Sequence, residues 1–277
     1  VFEWVRSHSN WAAGKGRGAK GQETIYLFLG NAYLQLAYAT AETDPDLALT
    51  HLASAQNAFQ QGLAINSTYA RLLAAQASAG YQQISRFGSP GCDDGWIEQA
   101  KALDRDFQAA LDQAEHDPMI AGVLTETLVK MSSHLGVGRV HLWRFRCTRL
   151  NPYFAQQAIQ SYQQVLDLYQ QVEESMPERA LHSAEAAIYA HAEMGWVLLV
   201  DGVLRQQHGG EYVDVDKVIA HWQEAEQLAQ QRGSPENLHT VYTTVIEVCK
   251  WSYANARSLL DSAAELQRYC AQVSERE

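Results

Sequence analysis

From residue 23 almost to residue 277, apolar residues return every three to four positions, which is the period of one helix face. No sustained run of β-branched residues alternates with period two, so strands are not predicted. Helix breakers cut the pattern at intervals. Asp44-Pro45-Asp46 separates a predicted helix near 23–42 from one near 47–65. Asn66-Ser67-Thr68 is expected to cap a third, near 68–86, because short polar side chains accept the free N–H groups of a first turn. The loop Gly88-Ser89-Pro90-Gly91-Cys92-Asp93-Asp94-Gly95 precedes a helix near 96–115. Asp117-Pro118 restarts the chain with an N-cap and a first-turn proline, and that segment runs to about 149 with a weak point at Gly136 and Gly138. Asn151-Pro152 opens a helix to about 175, and Met176-Pro177 opens another that ends at His208-Gly209-Gly210. A helix near 214–232 stops at Gly233. Ser234-Pro235-Glu236 caps a last segment that is one long helix or two parting near 252–258. The prediction is an all-α chain of about ten helices whose short connections make neighbours antiparallel.

Particular residues sharpen this. Tyr26-x-x-Leu29-Gly30-x-x-Tyr33 lies in the first predicted helix, and Ala55-x-x-x-Phe59-x-x-Gly62-Leu63-x-x-Asn66-Ser67 in the second. Gly30 would let the partner helix approach, Tyr26, Tyr33 and Phe59 would fill the space between, and the small Ala55 and Gly62 would admit them. Ala158-x-x-x-Tyr162-x-x-Val165-Leu166 repeats the second-helix pattern. Met194-Gly195-x-x-Leu198 repeats the first-helix core, with Val218-x-x-x-Trp222-x-x-Ala225 following. The set resembles the tetratricopeptide-repeat (TPR) family over about half of the chain. The resemblance implies antiparallel helix pairs stacked as a TPR-like α-solenoid. The departures are clear: Gly30 and Ala55 are 25 residues apart where the family has about a dozen, Ser67 replaces the closing proline, and no strict 34-residue period holds. The expected organisation is a basic, Gly-rich N-terminal arm over 1–22 and a TPR-like domain with elongated helices over 23–277.

Charge narrows the partners. The net charge is −11, yet the arm holds Arg6, Lys15, Arg17 and Lys20 against Glu3 alone, so the remainder is more acidic still. Such a body repels phosphates, and nucleic acid is not an expected partner. No stretch approaches 18 uninterrupted apolar residues, so no membrane span is predicted. Membrane contact is expected only through the arm or a segment upstream of Val1, since a chain starting without Met is expected to have lost a leader or to be part of a longer polypeptide. Localisation is left open between the cytoplasm and export.

Chemical motifs are sparse. Gly16-Arg17-Gly18-Ala19-Lys20-Gly21 matches G-x-G-x-x-G without the preceding strand that a dinucleotide site needs, and reads as a flexible tail. His134 and His141 stand seven apart, not at the three or four that zinc ligands on one helix require. Glu236-x-x-His239 has no second copy to build a di-iron site. Cys92, Cys147, Cys249 and Cys270 form no C-x-x-C; Cys249 and Cys270 read as buried structural thiols and Cys92 as the most reactive one. Asp93-Asp94 and Asp214-x-Asp216 read as helix caps. Seven Trp and 13 Tyr exceed what a small core needs; Trp143, Trp196, Trp222 and Trp251 are expected between helices.

No catalytic group, metal ligand set or cofactor is therefore expected. The leading expectation is a non-catalytic interaction or scaffold module, an accessory subunit of a larger assembly, that grips a protein of basic or mixed surface on its concave face. The family resemblance places Asn31 and Gln35 on that face. Leu27 stands where carboxylate-gripping relatives carry lysine, which argues against that mode of capture. Two other classes are a helical sensor for a small ligand or peptide and a metal-dependent helical enzyme.

Overall fold

The computed structural model describes residues 22–86, 90–116, 123–210, 213–255 and 264–276. Among these residues every regular element is helical and no strand occurs. Ten α-helices follow one another: α1 Gln22–Thr40, α2 Pro45–Ile65, α3 Ala70–Ser85, α4 Trp96–Ala114, α5 Val123–Cys147, α6 Pro152–Ser175, α7 Leu181–Gln207, α8 Val215–Arg232, α9 Pro235–Asn255 and α10 Ala264–Arg276. A 3₁₀ turn, Pro177–Arg179, sits ahead of α7. The all-α prediction holds, and among the described residues the last segment forms two helices, not one. The arm 1–21, with Trp4, Trp11 and the Gly-rich hexapeptide, lies outside the described residues, as does the start at Asp117-Pro118.

The helix starts follow from local chemistry. Asp44 accepts the Leu47 N–H at 3.0 Å, and Pro45 takes the first position, where its missing N–H costs nothing. Asn151 accepts from the Tyr153 N–H at 3.0 Å ahead of Pro152, and Asp214 accepts from the Lys217 N–H at 3.0 Å. Ser234 and Asn237 cap each other: the Ser234 N–H donates to Asn237 Oδ1 at 2.8 Å, and the Asn237 N–H to Ser234 Oγ at 3.3 Å. Two expected caps fail. Asn66 turns its Oδ1 to the Thr68 N–H, leaving Tyr69 at the head of α3 without a side-chain cap. Asp93 makes no cap either, because Gly95, at φ +88°, heads α4.

The chain divides into two compact units, 1–136 and 137–277, and the division falls within α5. The N-terminal unit packs α1 on α2, α2 on α3, α3 on α4, and α1 also on α3. The C-terminal unit packs α6 on α7, α7 on α8 and α8 on α9, with further contacts of α7 to α9 and α8 to α10. Contact with the next helix and the next but one is the stacking of a helical repeat.

What brings the helices together is a glycine facing an aromatic ring. The Phe59 ring of α2 lies on Gly30 of α1 so closely that a Cβ there would overlap it. Tyr162 of α6 meets Gly138 in the same way, and Trp222 of α8 meets Gly195 of α7. All three rings are fully buried. Phe107 of α4 adds a fourth lock, on Gly136. Gly136 and Gly138 therefore do not break α5; they are where rings seat against a continuous helix. Between α3, α4 and α5 the N-terminal unit also packs small residues, Ala70, Ala74, Ala110 and Ala114 against Val129.

Trp143, Trp196 and Trp222 are buried as expected, and Trp251 only partly so. The segment Ser183–Gln207 is long and apolar enough to cross a membrane, but 72% of its apolar 18-residue stretch is buried in the fold, as suits a core helix.

Cys249 and Cys270 are buried and structural as expected, but neither is a thiol, and the reading of Cys92 as the most reactive thiol is overturned. Cys249 and Cys270, 21 residues apart, form a disulfide between α9 and α10, and Cys92 carries no free thiol. Spacing without C-x-x-C gave no signal, because this pairing depends on α10 folding back. At 13 residues α10 is too short to persist alone. The disulfide, the Tyr269 ring stacked on Trp222 at 5.8 Å, and an Arg276–Glu226 ion pair hold it.

Two predictions follow from this packing. Gly30→Ala forces a methyl into the buried Phe59 ring and should cost about 1–3 kcal/mol. Phe59→Leu in that background should return part of the loss, read by urea unfolding. Cys249→Ser/Cys270→Ser should cost about 3 kcal/mol by loop-closure entropy. In the same urea experiment, dithiothreitol should lower the unfolding midpoint of the wild-type chain by more than that of the variant, which lacks this disulfide.

Candidate functional site

Asn31 and Gln35 both lie exposed on α1, four residues apart and therefore one turn from each other on one face. Leu27, at 2% exposure, belongs to the core with Leu34, Leu52 and Phe59. The position that would carry lysine in a carboxylate grip thus points inward. Tyr33 stacks against His51 of α2 at 6.4 Å, which helps fix the roll of α1 and so the direction in which its polar face looks.

A second feature was not visible in the sequence. His191 of α7 and His221 of α8 meet with Nδ1 to Nδ1 at 2.9 Å, their rings 5.1 Å apart at 44°. One Nδ1–H donates to the lone pair of the other, so the two rings hold opposite tautomers. They border a cavity of about 490 Å³ that Asp167 of α6 and Lys217 and Glu224 of α8 also line. Burial, and secondarily the facing His221, pushes His191 down to about 3. His221 is lowered as well, first by burial and then by the Lys217 ammonium. Both imidazoles are neutral at pH 7. The two residues are 30 apart and carry no local motif; only the packing of α7 on α8 at the Gly195–Trp222 lock joins them.

Other polar side chains of the C-terminal unit pair with one another. Glu193 of α7 takes the Tyr162 hydroxyl at 2.7 Å and the Arg139 guanidinium at 2.8 Å from Nε and 2.7 Å from the terminal nitrogen. The Arg139 guanidinium also covers the Tyr189 ring at 5.0 Å. At one end of the cavity Arg232 pairs with Glu173 at 2.7 Å and bonds the Tyr169 hydroxyl. Burial, and next the Glu173 charge, raises the Tyr169 phenol.

Other candidates do not assemble. Among the described residues no group of three His, Cys, Asp or Glu converges as metal ligands, so His134 with His141, and Glu236 with His239, gather no ligand set. Burial, then Lys130, lowers His134. His141 stacks on Phe154 at 6.1 Å. Asp93 and Asp94 line a cleft of about 840 Å³ with Arg86 and Gln99, next to no histidine.

The histidine pair gives a pH prediction. Unfolded imidazoles take up protons below about pH 6.5, whereas His191 in the fold resists until about 3. The contribution of His191 to stability is therefore complete above about pH 6.5 and is lost as pH drops towards 3. Denaturant melts between pH 8 and 4 should show this decline, and His191→Asn should flatten it. The groups facing the pair, Lys217, Asp167 and Glu224, are unchanged in that variant.

No family model matches the chain, and neither a curated protein nor a solved structure matches it.

Proposed function

We propose that this chain is a non-catalytic helical-repeat module of TPR type, an accessory subunit that binds a protein of basic or mixed surface along the open side of its first helices. The observation that carries the reading is the recurrent lock. Gly30–Phe59 and Gly195–Trp222 each join a first helix to the next at the positions the family pattern marks, and Gly138–Tyr162 repeats the lock with only its ring at a marked position. Such locks fix helix pairs while leaving the outer faces of the first helices free to vary, and in stacked repeats those faces form the binding surface.

In the N-terminal unit the contact would run along α1 at Asn31 and Gln35, both exposed polar groups able to hydrogen-bond an extended peptide. The acidic balance of the chain favours a positively charged partner and speeds its encounter. The Cys249–Cys270 disulfide and the lack of any free cysteine favour an oxidising compartment, which would make this an exported subunit.

A photo-crosslinking side chain at Asn31 or Gln35 should give one adduct of defined mass, identified by peptide sequencing. The same group at Asn57, exposed on α2, should not. With that partner purified, Asn31→Ala/Gln35→Ala should weaken binding about tenfold, or about 1.4 kcal/mol, without moving the Tm. Equal labelling at all three positions, or an unchanged Kd, would overturn the assignment.

A further inference from the structure

We propose that His191 and His221 form a two-histidine site for a divalent transition-metal ion of tetragonal preference, Cu²⁺ or Ni²⁺, opening onto the cavity between α6 and α8. The argument is geometric. Metal–imidazole bonds are about 2.0–2.1 Å long. Two such bonds at a right angle, the cis edge of a square-planar or octahedral site, put their nitrogens about 2.9 Å apart. The two Nδ1 atoms are 2.9 Å apart. They need no change in separation to chelate an ion; each ring turns off the direct Nδ1–Nδ1 line by about 45°. A tetrahedral zinc ion would instead need them spread to about 3.3 Å.

The proton balance is simple. The pair holds two protons when neutral, one on Nδ1 in the hydrogen bond. Binding moves that proton to Nε2 of the same ring, so both rings become Nε2–H tautomers and none is released. The hydrogen bond is exchanged for two coordinate bonds.

The surroundings allow the remaining ligands. The cavity of about 490 Å³ has room for several waters. Glu224 stands three residues after His221 on α8 and lines the same space, as does Asp167 from α6. Their two negative charges outweigh the Lys217 ammonium. No third His, Cys, Asp or Glu among the described residues already stands in ligand position, so the first shell is two imidazoles plus water, an open site.

The test is titration of the full oxidised chain with Cu²⁺, read by calorimetry and by electron paramagnetic resonance. The expected result is one site of highest affinity per chain, whose spectrum shows two equatorial imidazole nitrogens. His191→Asn and His221→Asn should each weaken it at least tenfold, and Ni²⁺ should follow Cu²⁺ with Zn²⁺ weaker than Cu²⁺. A strongest site that survives the double variant would overturn the proposal. The wild-type spectrum stands apart from any folding defect in the variants: one without two nitrogen couplings overturns it as well.

Discussion

Two helices can approach to backbone contact only where one of them offers no side chain, and here that opening is filled by the ring of its neighbour. Phe59, Tyr162 and Trp222 are each wholly removed from solvent against a glycine. An aromatic side chain buries about 150–250 Å², which at about 25 cal/mol per Å² is about 4–6 kcal/mol as an upper bound. The glycine is unfavourable within its helix by about 1 kcal/mol relative to alanine, a cost the buried ring exceeds several times over. Because the fit is between ring and backbone, it fixes the axial position of one helix on the other as well as their separation. Everything placed on the outer faces inherits that register.

The kind of ring then decides what else the unit must contain. Phe59 and Phe107 have no polar tip, and Phe59 is surrounded by apolar side chains such as Leu27, Leu34, Leu52 and Leu72. Tyr162 and Trp222 carry polar tips that cannot be buried unpaired. The Trp222 Nε1–H donates to the Ala192 carbonyl at 3.2 Å, and the Tyr162 hydroxyl donates to Glu193, which in turn needs Arg139. Choosing Tyr and Trp as locks thus commits the C-terminal unit to a chain of buried hydrogen bonds. The His191–His221 contact lies on the same helix pair as the Trp222 lock, one residue from the carbonyl that holds it.

The helices and most of their boundaries were legible because they depend on nearest neighbours in sequence: Pro45, Asn151-Pro152, Asp214 and Ser234 act within one turn. The glycine and aromatic positions were legible for a similar reason, since each leaves a mark in its own helix. What escaped was pairing. Cys249 meets Cys270 only because α10 returns onto α8 and α9, and His191 meets His221 only because α7 and α8 are locked in one register. Neither contact is written in the spacing of the residues that make it. Asn66 was misread for a different reason: an Asx turn and an N-cap use the same side-chain oxygen, and the difference lies one residue along the backbone. Asn31 and Gln35 lie exposed on α1, whereas what touches that face is a property of another molecule.

The disulfide bears on function as well as on stability. Helix α10 is short, and its buried face is only Leu266, Tyr269, Cys270 and Val273. Without a covalent tie its loss would expose Trp222, the ring that fixes α7 against α8, because Tyr269 stacks directly on it. The Arg276–Glu226 pair and the Tyr242 hydroxyl, which donates to Glu226 at 2.9 Å, add polar ties between α10, α8 and α9 beside that ring. Cys249–Cys270 therefore acts on the last lock at a distance, by keeping in place the ring that covers it. Reduction of Cys249–Cys270 therefore weakens the packing of α7 on α8 although neither cysteine lies on that pair of helices.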